Sequence, residues 1–167
     1  HHAFIAGNLK HSVDVATVSK LLAEFYNANK DLCIVGGLLQ DFGKLWSYSI
    51  DGAIIDVSEE GQLFEHIVIG IAKLETYRTP ENSKVLDLIQ HIIASHHGKL
   101  EYGSPMTPKF LEAWIVCSAD GLDAKAQILR ELNQKLQSTD KFTAKEWALD
   151  NRQMFSQQYI SEIMGRN

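Results

Sequence analysis

Leu38-Leu39-Gln40-Asp41-Phe42-Gly43-Lys44 is the stretch on which the reading of this chain turns. Upstream, Leu32 to Phe42 carries apolar residues at helical spacing, with Asp31 placed to cap the segment. Asp41 shares a face with Ile34, Gly37 and Leu38, which sets a carboxylate in the core or at the floor of a cleft. Such a group needs a strong partner, because an unpaired buried carboxylate neutralises instead of staying charged. Gly36-Gly37 lie mid-helix at a cost of about 1 kcal/mol each relative to alanine, and close approach of another helix is the usual compensation. Gly43 suits the helix end, and Lys44 follows one turn beyond Asp41.

Working outward, the same periodicity recurs on both sides. Leu9 to Ala28 predicts an amphipathic helix with Leu9, Val13, Ala16, Leu21, Leu22, Phe25 and Tyr26 as its apolar stripe. His11 shares a side with Val15, Val18 and Leu22 and can point inward. The pattern breaks near 47–61, where Ser49-Ile50-Asp51-Gly52-Ala53-Ile54 predicts a small hairpin on an Asp-Gly turn. A third helix near Phe64 to Tyr77 carries His66 beside Ile69, Gly70 and Lys73. Thr79-Pro80-Glu81 opens a fourth, with proline at the first helical position. Its inward stripe is Leu86, Ile89, Ile93, His96 and His97, so it ends on two adjacent histidines before Gly98. The loop from Lys99 to Pro108 is expected to border whatever those histidines bind. A fifth helix runs from about Pro108 through Leu136, with Ala113, Val116, Cys117, Asp120 and Ala124 on one face. Thr143-Ala144-Lys145-Glu146 has a capping-box pattern and predicts a last helix through Trp147, Leu149, Met154 and Phe155. The fold class expected is all-α, a helical bundle with a small hairpin or loop insertion near 47–61. The core spans 1–137, and 138–167 form a C-terminal helical extension packed on the same domain.

Bulk properties bound the functions. At 167 residues with 45% hydrophobic content, one globular domain is expected. A formal charge of −5 gives no general attraction for phosphate backbones, so a nucleic-acid substrate needs a local patch, a metal or another domain. Cys33 and Cys117 sit in apolar helical stretches and predict free thiols in a reducing compartment. With no membrane-length apolar run and no signal peptide, a cytoplasmic location without membrane contact is expected.

Four imidazoles and two carboxylates, His11, His66, His96, His97, Asp41 and Asp120, fall on the inward sides of different helices. One histidine on an apolar face is ordinarily a satisfied core residue. Six such groups in one core would leave unmet acceptors, and divalent metal binding satisfies all of them together. The mixed ligand set suits Mn²⁺, Fe²⁺, Co²⁺, Ni²⁺, Zn²⁺ or Mg²⁺. Asp41 is placed to bridge two ions, and Lys44 to hold a phosphate oxygen; both are the catalytic candidates. The plain alternative for Lys44 is a solvated cation at a helix end. His91 lies off the inward stripe, and Glu65 and Asp123 flank ligand positions, where a solvated surface charge is the commoner role.

The order His11, Gln40-Asp41-Phe42-Gly43-Lys44, His66, His96-His97-Gly98, Asp120 resembles the HD-domain metal-dependent phosphohydrolases. His1-His2-Ala3-Phe4, Glu60 to Gly70, Ser95 to Pro105 and Ala119 to Lys125 resemble one subgroup, the bacterial 3′→5′ exoribonucleases in which an OB-fold module precedes the HD domain. The resemblance implies an HD-domain-like bundle and two ions. One would take His11, position 40, Asp41 and Asp120; the other, Asp41, His66, His96 and His97. It also implies a histidine at position 40, where this chain has Gln40. A neutral amide oxygen is the weaker ligand, so the first site is expected to bind loosely or stand empty.

The function implied is a metal-dependent phosphohydrolase, a phosphodiesterase of the 3′→5′ exoribonuclease kind, with a metal-activated hydroxide attacking a phosphodiester. Its partners would be a nucleic-acid 3′ end or nucleotide and an N-terminal OB-fold domain not included in this chain. Two other functions share the same site residues: a small-nucleotide phosphohydrolase, and a degenerate, non-catalytic HD module marked by Gln40.

Overall fold

The structure, a computed structural model, describes residues 7–52, 54–137 and 139–165. The His1-His2-Ala3-Phe4 stretch of the resemblance lies outside them. In chain order the elements are α1 (Gly7–Tyr26), α2 (Lys30–Leu39), α3 (Lys44–Ser47), β1 (Tyr48–Asp51), β2 (Ile54–Val57), α4 (Glu59–Glu75), α5 (Ser83–Ser95), α6 (Leu111–Gln134) and α7 (Gln157–Ile163). Single-turn 3-10 helices lie at Leu100–Tyr102 and Trp147–Leu149. The all-α expectation holds, with the antiparallel β1–β2 hairpin inserted where the helical pattern broke; Ile50 pairs with Ile55 and Asp51 with Ile54. The chain forms two compact units that divide within α6, between Gly121 and Leu122.

In the unit up to Gly121, α1 packs along α2, α2 on α5, α5 on α4 and α4 on α3. Val15, Ile92, Ala113, Val116 and Ala119 make one apolar cluster. Ile67, Leu74, Leu86, Ile89 and Ile93 make another, next to the site. Fully burying each of Ile92 and Ile93 contributes on the order of 2–3 kcal/mol. The Gly36-Gly37 pair is explained by close approach, as expected: a Cβ at Gly37 would lie 2.7 Å from the Ala16 Cα, and one at Gly36 2.8 Å from the Ile92 Cδ1.

That close approach overturns the stripe read on α1. Leu9, Val13, Leu21, Phe25 and Tyr26 are exposed, and the buried face is His11, Ser12, Val15, Ala16, Ser19 and Ala23. Small side chains let α1 lie against Gly37 of α2, and bulk apolarity pointed to the wrong side. Local chemistry moved several boundaries too. Asn29, not Asp31, caps α2, its side chain accepting from the Leu32 N–H. α2 ends at Leu39, so Asp41 lies in a turn beyond the helix. Ser58 caps α4 well before Phe64, and Pro80 lies in the turn ahead of α5.

The unit from Leu122 departs further. No α-helix runs from Thr143 to Phe155; the segment folds back on itself through bridges pairing Phe142 with Phe155 and Glu146 with Arg152. The Thr143 hydroxyl accepts from the Met154 N–H, the Gln153 amide donates to the Thr143 carbonyl, and Asp150 and Asn151 turn the chain at positive φ. The capping-box hydroxyl was spent across the loop, not along a helix. The helix comes later, at α7, capped by Ser156. Asp123, expected as a solvated charge, is buried in this unit.

Candidate metal centre

Asp41 is the hub. It stands in the turn between α2 and α3, 1% exposed, because the Gly37–Ala16 contact draws α2 against α1 and Gly43 presses the turn onto α4. The positions read from sequence converge on it from five directions. α1 brings His11, whose Nε2 lies 3.3 Å from Asp41 Oδ2. α4 brings His66, Nε2 3.4 Å from Asp41 Oδ1. The end of α5 brings His96, Nε2 3.6 Å from the same oxygen, and His97 beside it. α6 brings Asp120, Oδ1 2.9 Å from His11 Nε2. Lys44, the first residue of α3, donates to Asp41 Oδ2 at 2.7 Å. Gln40 is fully buried with its Nε2 3.0 Å from His11 Nε2.

Backbone detail aims the imidazoles. His66 follows Glu65, whose φ of 57° and ψ of 160° kink α4 there. His96 Nδ1 donates to the Ile93 carbonyl at 2.8 Å, and His97 Nδ1 donates to the Tyr102 carbonyl at 2.8 Å. A carbonyl can only accept, so both rings carry a proton on Nδ1 and, when neutral, present a bare Nε2 lone pair. This is the arrangement by which metal-binding histidines are ordinarily oriented. The loop flagged as bordering the site does so: Tyr102 holds the His97 ring, and the Ser104 hydroxyl accepts from the His97 N–H at 3.1 Å.

The electrostatics fit a cation. Burial alone would push the Asp41 carboxyl up, but His11, His96 and the Lys44 ammonium hold it well below the usual carboxylate range. Burial lowers His66 to about 3; Asp41 pulls it back up, and Lys44 and the other imidazoles push it down again. His97 is lowered by burial and by His96. At neutral pH the Asp41 carboxylate is therefore charged, and the His66 and His97 imidazoles are neutral. Asp41 Oδ1, His66 Nε2, His96 Nε2 and Gln40 Oε1 are all buried without a hydrogen-bond partner among the described residues. Native proteins rarely leave such atoms together, and a cation satisfies the first three at once. Among the described residues, two ligand groups meet the spacing for an ion, His66, His96 and His97 in one and His11, Asp41 and Asp120 in the other.

His91 is structural: its Nε2 accepts from the Lys109 N–H and its ring rests on Phe110. Glu65 contributes its backbone kink, its side chain being exposed. Sequence reasoning missed the Ile93 and Tyr102 carbonyls, since every residue carries one, and missed that Gly43 matters by contact. Its φ is −63°, so it serves as a space for the His66 carbonyl and not as a left-handed helix end.

Comparison with known proteins gives the same grouping. A family profile described as HD domain matches residues 8–125. The 3′-5′ exoribonuclease YhaM of Shouchella clausii is 37% identical over 160 residues, 93% of this chain and 49% of the relative. The proteins of that name from Bacillus subtilis and Geobacillus sp. are 33% and 32% identical, over 93% and 98% of this chain and 50% and 51% of their own. This chain thus spans about half the length of the curated relatives it matches. No solved structure matches it.

Proposed function

This chain belongs to the HD-domain family, and from that premise we propose that the Asp41 cluster is a divalent-metal centre hydrolysing phosphodiesters at the 3′ end of RNA or single-stranded nucleic acid. The observation that carries the proposal is the set of buried, unpartnered atoms, Asp41 Oδ1, His66 Nε2 and His96 Nε2, beside two imidazoles locked in the Nδ1–H form. Similarity to relatives named 3′-5′ exoribonuclease supports the choice of substrate.

His11, Asp41, Asp120, His66, His96 and His97 would hold the metal. Bound there, a divalent ion supplies Lewis-acid chemistry, lowering the pKa of water and offsetting phosphate charge. The chain does the rest. Asp41 sends one oxygen toward His11 and the other toward His66 and His96, so it fixes the centre. Lys44, partly exposed beside Asp41, would bind a phosphate oxygen and orient the diester. The partly exposed His97 and Asp120 mark the side from which a substrate enters. Grip on a longer strand is assigned to a preceding OB-fold module.

The test is hydrolysis of bis-p-nitrophenyl phosphate and of a short 5′-labelled oligoribonucleotide by the purified chain with added Mn²⁺. Metal-dependent release of nitrophenol and stepwise shortening from the 3′ end are expected, both abolished by Asp41→Asn. Gln40, where the resemblance implies histidine, favours one other reading, a metal-holding module without catalysis. An inert chain with metal bound would establish that reading, and turnover of nucleoside monophosphates alone would move the substrate to small nucleotides.

A further inference from the structure

We propose that Gln40 makes the two halves of the cluster unequal. The half formed by Asp41, His66, His96 and His97 retains one divalent ion; the half formed by His11, Asp41 and Asp120 takes a second ion only weakly and reversibly. This rests on reading the cluster as a metal centre, and it concerns stoichiometry, not turnover.

The first half is ready for an ion. The Ile93 and Tyr102 carbonyls hold the Nδ1 protons of His96 and His97, which leaves each Nε2 to face a ligand. His66 Nε2 and Asp41 Oδ1 are buried and unpartnered, and the 3.4 and 3.6 Å that separate this oxygen from His66 and His96 are too long for good hydrogen bonds. Nothing in this half needs to move out of the way.

The second half is already engaged. Asp41 Oδ2, the oxygen that faces His11, accepts from the Lys44 ammonium at 2.7 Å. His11 Nε2 lies 2.9 Å from Asp120 Oδ1 and 3.0 Å from the Gln40 amide nitrogen. The Asp120 carboxylate can only accept, so His11 Nε2 turns its proton toward it, and an ion in this half has to displace that proton. Turned over, the amide would present Oε1, an uncharged and weaker donor, and would send its two N–H groups where the buried Oε1 now has no partner. Filling this half therefore requires the Gln40 amide to turn and His11 to give up its Nε2 proton. Disturbing the groups around a metal ligand lowers affinity on the order of tenfold to a hundredfold.

Titration with Co²⁺ by calorimetry, followed by cobalt counting per chain after desalting, tests this. One cobalt per chain should survive desalting, and the titration should show a second phase weaker by at least about tenfold. Gln40→His supplies an imidazole and Gln40→Glu an isosteric carboxylate, and each should retain two. If the histidine does not fold in this buried position, the glutamate variant decides alone. Two cobalt ions retained by the unaltered chain, or one retained by a folded Gln40→Glu variant, overturns the inference. A chain with one cobalt that leaves diesters intact sinks the proposed hydrolysis and not this inference. One with two cobalt ions that cleaves them does the reverse, and a chain retaining none overturns both.

Discussion

A Cβ at Gly43 would lie 1.8 Å from the carbonyl oxygen of His66. The turn carrying Asp41 and the helix carrying His66 touch backbone to backbone at this point, and the hub keeps its distance to one of its imidazoles through that contact. The Gly70 N–H lies on the same surface, 2.6 Å from the same Cβ position. No side chain can bend away to make room.

Gly43→Ala should therefore be among the costliest small substitutions in the chain. Overpacking against rigid backbone costs about 1–3 kcal/mol or more, and relief by separation would move Asp41 from His66. Thermal melting and metal content after desalting should both fall. Gly121→Ala is the matched control, because no atom lies within 4 Å of its Cβ position. In a helix interior it should stabilise by about 0.5–1 kcal/mol. An unchanged melting temperature in Gly43→Ala would contradict the packing described.

Glu65 supplies a second backbone test. Its φ of 57° with ψ of 160° is a region used almost only by glycine, and such conformations cost about 1–3 kcal/mol in other residues. Glycine inside a regular helix destabilises, but at this kink Glu65→Gly should raise the melting temperature. A fall of the size seen for an ordinary helix position would mean the kink is not strained.

Much of the site was legible because it consists of side chains whose chemistry is rare in a core. His11, Asp41, His66, His96, His97 and Asp120 each interrupted an apolar face, and the structure brings all of them together. The α5 stripe of Leu86, Ile89 and Ile93 was legible for the same reason. What was hidden depended on backbone. The α1 face chosen by apolar bulk lost to the small residues around Ala16 that face Gly37, because packing distance and not hydrophobicity decided the contact. The Thr143 hydroxyl fits a helix cap or a cross-loop bond equally well in sequence, and only the return of the chain at Asp150 and Asn151 selects the second.

Acid should weaken the metal-free fold in a defined window. His66 titrates at about 3 in the folded chain against 6.5 when free, with burial the main cause. Between those values the unfolded chain binds the extra proton, so this group's contribution is complete above pH 6.5 and shrinks as pH falls. The slope is up to about 1.4 kcal/mol per pH unit. Asp41 acts in the same direction lower down, since its carboxyl is held well below 3.8 and its contribution is lost only as pH falls past that value. Urea unfolding of chelator-treated protein at pH 7.5, 6 and 5 should show a midpoint that falls from 6 to 5. A midpoint flat from 7.5 to 5 would mean that His66 is not held neutral by burial.

Affinity for a nucleic-acid backbone comes chiefly from lysines and arginines displacing counterions, and this chain carries a net charge of −5. Near the site the cations are few. Lys44 is already paired with Asp41, and the exposed Lys99 is paired with Glu101 and rests over the Tyr102 ring. Tyr102 is exposed and adjoins His97 through its backbone carbonyl, and one ring does not make the ladder that base stacking needs. These groups suffice for one or two phosphates at a strand end. The isolated chain should therefore bind a single-stranded oligonucleotide no tighter than about 10 μM at physiological salt, within the range typical of non-specific binding. On the proposed reading, any cleavage should be distributive, with release after each cut. Fluorescence anisotropy with a labelled 20-nucleotide strand measures this directly. Submicromolar binding that weakens steeply with added salt would reveal a basic surface that neither the composition nor the site accounts for.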